Sequence, residues 1–171
     1  MRPETFTTWA VGRAVDLVNL YADRGDSVTQ HDLHTLLHEY DFPEEDLDVR
    51  AFGRLARDLR GTFRDPDHEV RVQRLNHLLD RAQPLPRLAE HDEHGPHFHY
   101  AAAGSAIDHI SSALLMAVAT AVVDRGVERF GWCAAPGCDR LFYDRSRNGS
   151  QRFCSRSCAT RVNVRAHRAR Q

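Results

Sequence analysis

Apolar residues return at helical spacing in five stretches of the chain. Over 10–21, Val11, Ala14, Val15, Val18 and Leu20 line one side of a helix, which Gly25 and Asp26 end. Thr29 followed by Asp32 reads as an N-cap with an acid in the first turn. It predicts a second helix over 30–40 that buries Leu33, Leu36 and Leu37 and is broken by Pro43. Leu47, Phe52, Leu55 and Leu59 predict a third helix. Val70, Val72, Leu75, Leu78 and Leu79 predict a fourth, closed by Pro84 and Pro86. Four helices of this kind pack as a bundle. Ser105 then caps the longest helix, whose stripe of Ile107, Ile110, Leu114, Ala117, Val118 and Ala121 is expected to form the core of the body. The apolar run 113–123 is too short for a bilayer span and is flanked by Asp108, His109 and Asp124, so no membrane partner is expected.

The pattern changes to a period of two in 88–103. His97 and His99 alternate with Phe98 and Tyr100 beyond the turn-like Glu93-His94-Gly95-Pro96, which predicts a β-hairpin. Alternation points His97 and His99 the same way, and with His91 and His94 nearby it opens two readings. One is an exposed polar face, favoured because no carboxylate or cysteine stands at ligand spacing. The other is a second metal site, a ligand site or a proton sensor at His97 and His99.

All four cysteines lie close together, as Cys133-x4-Cys138-x15-Cys154-x3-Cys158. Two short pairs of this kind have the spacing of a zinc site, and four thiolates leave no open position for water or substrate, so the zinc would be structural. Two disulfides or four unrelated thiols are the alternatives. No apolar signal segment opens the chain, so it is expected in the cytoplasm, where thiols stay reduced. Ala134-Ala135-Pro136-Gly137 reads as a knuckle, 141–143 and 152–153 as short strands, and Asn148-Gly149 as the turn between them. Cys158 falls one turn after Cys154, and Ala159, Val162 and Ala166 continue at helical spacing, so the last ligands sit at a helix start. Knuckle, hairpin and helix follow in the order of a treble-clef finger, whose core is too small to stand without metal. The expected fold is therefore mainly α with a small β-hairpin: a helical body over 1–130 and a treble-clef-like finger over 131–171. Phe130 and Trp132 are expected to pack the finger against the body.

Charge divides at the same place. Residues 1–130 hold 14 arginines against 22 acids, net −8, and residues 131–171 hold 9 arginines against 2 acids, net +7. The basic tail comprises Arg140, Arg145, Arg147, Arg152, Arg156, Arg161, Arg165, Arg168 and Arg170. Zinc with four thiolates is a dianion, so about two of these arginines are expected to balance the cluster, which leaves about +5 for a partner. Arg161, Arg165 and Arg168 make a helical stripe, and Arg145, Arg147 and Arg152 flank the Asn148-Gly149 turn, so two basic segments could clasp one DNA duplex. Arg156 and His167 fall within the same contact surface. A solvated face, or a face that docks onto an acidic protein surface, is the alternative.

The run 144–154, with Cys158-Ala159-Thr160-Arg161 and the arginine-rich residues after it, resembles the CGNR-type zinc finger. Gly12-Arg13-Ala14-Val15-Asp16-Leu17-Val18-Asn19 and Pro96-His97-Phe98-His99-Tyr100 are similar to the ABATE-type domain that precedes that finger in a bacterial family described as stress-induced transcription regulators. Here Ala159 and Thr160 stand where the family has glycine and asparagine, while the metal ligands are intact. The resemblance implies a transcription regulator that binds double-stranded DNA through the finger, with an N-terminal domain that senses a small-molecule effector or forms a homodimer.

Catalytic signatures are missing: no P-loop, dinucleotide-binding glycines, nucleophile elbow or His-Glu-x-x-His is present. No enzyme is therefore expected. Some treble-clef proteins are nucleases, but the arginine-rich tail lacks the carboxylate and histidine set that such chemistry needs.

Overall fold

The computed structural model describes residues 3–40, 42–90, 96–101 and 104–168. His91, His94 and Arg170 lie outside them. Six α-helices and two small antiparallel strand pairs occur among the described residues.

Helix α1 (Pro3–Arg24) begins earlier than the apolar stripe predicts and ends at Gly25 as expected. Helix α2 (Gln30–Leu37) starts at a capping box, in which the Asp32 amide donates to Thr29 Oγ1 at 3.2 Å and the Thr29 amide to Asp32 Oδ2 at 2.8 Å. It stops short of the predicted Tyr40 and tightens into a 3₁₀ turn over His38–Tyr40. Helix α3 (Val49–Arg64) is capped by Asp48, and helix α4 (His68–Ala82) by Asp67. Leu47 is buried one position before the α3 cap rather than inside the helix, and Val72 lies on α4 as expected but is exposed. Helix α5 (Ala106–Arg125) opens with the Ser105 amide and hydroxyl both bonded to Asp108 Oδ2.

The bundle is not made of the first four helices. Helices α1, α5, α4 and α3 each pack on the next, and α3 closes back onto α1, while α2 lies outside this ring against α1. The reason is composition: α5 buries Ile110, Leu114, Leu115, Ala117 and Val118, whereas α2 buries only Leu33 and Leu37. By length and composition α5 could cross a membrane. Its apolar residues instead fill the centre of the ring, packed with Leu17, Phe52, Leu59 and Phe63. Gly53 lets α3 approach α1, since a Cβ there would meet the Tyr21 ring at 2.9 Å.

Strands β1 (Arg87–Ala89) and β2 (His97–His99) form the predicted hairpin, with Leu88 opposite Phe98. Strands β3 (Phe130–Trp132) and β4 (Leu141–Tyr143) form the second pair, with Gly131 opposite Phe142. This corrects the expected pairing of 141–143 with 152–153. The ladder closes through the cysteine knuckle, and residues 152–153 are irregular. The last helix, α6 (Arg156–Arg168), carries Cys158 in its first turn. Val162 packs under it, while Ala166, farther along the helix, is exposed.

The hydrophobic core runs through the junction rather than ending at it. Phe130 and Leu141 are each 1% exposed and belong to the same buried cluster as the helices. Phe130 stacks on Phe63 at 4.2 Å with the rings 13° apart, and Trp132 Nε1 donates to the Phe63 carbonyl at 2.9 Å. The expectation that Phe130 and Trp132 dock the finger on the body holds, through a shared partner on α3.

Candidate metal centre and basic surface

The knuckle brings the first two cysteines together through its own backbone. The Cys133 amide donates to the Arg140 carbonyl at 2.9 Å and the Cys138 amide to the Ala135 carbonyl at 3.0 Å. Gly137 turns the chain back at φ +74°, a conformation that a side chain would strain. The second pair is held by the start of α6, where Ser155 Oγ accepts from the Cys158 amide at 3.2 Å. A bond from the Ala134 amide to the Arg152 carbonyl, 2.9 Å, joins the two halves.

All four sulfurs then lie within 4.8 Å of one another. Ligands about 2.3 Å from a tetrahedral zinc stand about 3.8 Å apart. The Cys138–Cys154 and Cys154–Cys158 Sγ separations are 3.7 and 3.8 Å. No disulfide forms, and the four thiols are not scattered, so both alternative readings fall away. Acid–base chemistry agrees with this. Burial works against ionising Cys133, but amides of Cys154 and Ala135 and neighbouring thiols bring it down to about 7. Burial and the three other cysteines push Cys154 up to about 12, and burial also raises Cys138. Four converging thiols, one of them already easy to ionise, are a donor set that a divalent cation takes up as thiolates. One zinc fits, held by Cys133, Cys138, Cys154 and Cys158. Bound there, it would supply the cross-link that fastens α6 to the knuckle. The finger's own core is otherwise Ala135, Phe153 and Val162.

The arginines of the tail divide into three groups by what they touch. Arg161 lies over the cluster, with Nη2 3.7 Å from Cys158 Sγ and 3.5 Å from the Pro136 carbonyl. It is the described arginine that meets a thiolate, one where two were expected. Arg140 and Arg145 face the body: Arg140 pairs with Asp23 at 2.5 Å, and Arg145 donates to the Thr8 carbonyl at 3.1 Å, passing over Gly12. Arg147, Arg152, Arg156, Arg165 and Arg168 are exposed and meet no carboxylate among the described residues. Arg152 lies beside the Phe153 ring at 5.9 Å. Asn148 and His167 are exposed as well, and α6 has no acid anywhere along it.

The loop that carries Arg145, Arg147 and Asn148 is built around a residue the sequence reading passed over. Asp144 is 4% exposed and accepts from the Ser146 amide at 2.7 Å and the Gln151 amide at 2.9 Å. Burial alone would raise its carboxyl, but these bonds and the Arg129 charge hold it below the usual 3.8. Arg129 also donates to the Ser146 carbonyl at 2.6 Å. Asn19 is a second such residue. Buried on α1, it bonds both backbone groups of Leu141, accepting at 2.9 Å and donating at 3.0 Å. A polar residue amid the apolar stripe of α1 was the available signal.

His97 and His99, the second candidate site, share one face of β2 with their Nε2 atoms 3.1 Å apart. They are remote in sequence from the cysteines and belong to the other strand pair.

Residues 129–171 match the family model of the CGNR zinc finger, about a quarter of the chain, including all four cysteines and the whole basic tail. No curated protein matches the chain.

Proposed function

We propose that the chain is a transcriptional regulator that binds duplex DNA through its zinc finger, with the helical body serving as a sensing or dimerising domain. One observation carries the reading: α6 projects from a zinc-fastened first turn with Arg156, Arg165 and Arg168 exposed and no acid to answer them. A solvated helix ordinarily mixes signs, so a one-signed face on a rigid mount favours a polyanion. Prior fixation by zinc and Ser155 also leaves little ordering cost at binding. Arg147 and Arg152 extend the surface to the loop built on Asp144. The regulatory role itself rests on the likeness to the CGNR finger.

The five exposed arginines without a carboxylate partner set the expected salt dependence. If each neutralises one phosphate, log K falls against log salt with a slope of about −4.5. Arg165→Ala should flatten that slope by about one unit and leave zinc content unchanged. Arg161→Ala should instead loosen the zinc, measured by chelator competition, with little change in slope. Duplex affinity across a salt series for the three zinc-loaded proteins is the measurement. Absence of binding at low salt by folded protein would sink the DNA reading and favour docking onto an acidic protein surface.

A further inference from the structure

The hairpin β1–β2 holds a second arrangement of metal-ligating groups, independent of the finger and of the DNA reading. His97 and His99 stand at alternate positions of β2, so the pleat sends both side chains to one face. Their rings lie 5.1 Å apart at 39°, and the two Nε2 atoms converge to 3.1 Å. Imidazole nitrogens bind first-row metals at 2.0–2.1 Å, so two nitrogens 3.1 Å apart on one ion subtend about 98°. That value falls between the right angle of tetragonal or octahedral geometry and the tetrahedral angle.

From this we infer that His97 and His99 form a bidentate site for a borderline divalent cation, Zn²⁺, Ni²⁺ or Cu²⁺, distinct from the cysteine centre. Imidazole is the ligand these ions share, and hard cations such as Mg²⁺ or Ca²⁺ are not expected there. The strand supplies rigidity. Cross-strand, His97 stands opposite Ala89 and His99 opposite Arg87. Phe98, between them, points the other way and is 53% exposed. Both residues are half-buried. The donor set is imidazole, in contrast with the four-thiolate shell of the finger.

The competing explanation for the same distance is a hydrogen bond between two neutral imidazoles, one donating through Nε2–H and the other accepting. The experiment separates them. Zinc-loaded full-length protein, without a histidine tag, is titrated with Ni²⁺ and followed by metal analysis and by the imidazole NMR signals. One Ni²⁺ should bind per chain in addition to the finger zinc. The His97 and His99 signals should broaden before those of the other nine histidines of the 11 in the chain. His97→Gln and His99→Gln should each weaken uptake by more than the roughly 10- to 100-fold that loss of an outer-shell partner costs a metal site. The NMR arm needs no variant and so stands even if a substitution disturbs the hairpin. Three results would overturn the inference: no uptake beyond the zinc, uptake that displaces zinc, or Ni²⁺ that binds while the His97 and His99 signals stay sharp.

Discussion

The two halves of the zinc finger are held in opposite ways. Strands β3 and β4 are part of the body: Phe130 stacks on Phe63, Leu141 sits in the helical core, and Asn19 pairs with the Leu141 backbone much as a neighbouring strand would. Outside the hairpin core, Arg60 and Arg64 pair with Asp139 while the Arg64 guanidinium lies 3.7 Å from the Trp132 ring centre. Helix α6 has nothing comparable. Cys158 is its one buried residue, and its purchase on the rest of the protein is the metal cluster, Val162 and the Arg161 contact to Pro136. Thus one half of the finger is folded by hydrophobic burial and the other by coordination, although both belong to a single sequence motif.

Removing the metal should break the comparison most visibly. Structural zinc in small fingers binds with an apparent ~10–16 kcal/mol, and here most of that acts on α6. Chelation, or Cys158→Ser, should release the 13 residues of α6, seen as lost helical dichroism and fast amide exchange over 154–168. The Leu141 amide should stay protected by Asn19. Uniform loss of protection across the body would show that coordination holds the hairpin as well.

The converse change tests the other half. Phe130→Ala removes a fully buried ring from the stack on Phe63 and should cost about 3–5 kcal/mol. Urea unfolding should show the loss for the whole chain, with zinc stoichiometry unchanged in the folded protein. If only the finger melts, Phe130 does not belong to the body's core.

Asn19→Ala should have the smallest effect of the three. It leaves the buried N–H and C=O of Leu141 without their side-chain partner, at about 1–3 kcal/mol. Faster exchange of the Leu141 amide, at wild-type zinc affinity, would assign the loss to the seam between α1 and β4.

Much of this was written in local pattern. Thr29 and Asp32 announced the α2 cap, the periodic stripe announced α5, and the cysteine spacing announced the metal ligands, because caps, amphipathic faces and chelate loops are set by residues a few positions apart. Charge asymmetry likewise marked the basic tail, since net charge adds along the chain regardless of fold. The exposure of Val72 and Ala166, both on helices as their spacing indicates, has the complementary reason. Helical spacing says which residues share a face, but only a neighbouring element decides whether that face is covered.

What tertiary structure alone decided is which segments meet. The strand partner of 141–143 turned out to be 130–132, the bundle took α5 in place of α2, and the eight described arginines of the tail separated into those that face the body, the one over a thiolate and those that face solvent. Each outcome depends on groups far apart in sequence: Asn19 and Leu141 are 122 positions apart, and Trp132 and Phe63 are 69. Composition and spacing determine what each segment can do. The shape of the packed core determines which of those possibilities are used, because a buried donor or ring is satisfied only by the partner that packing brings to it.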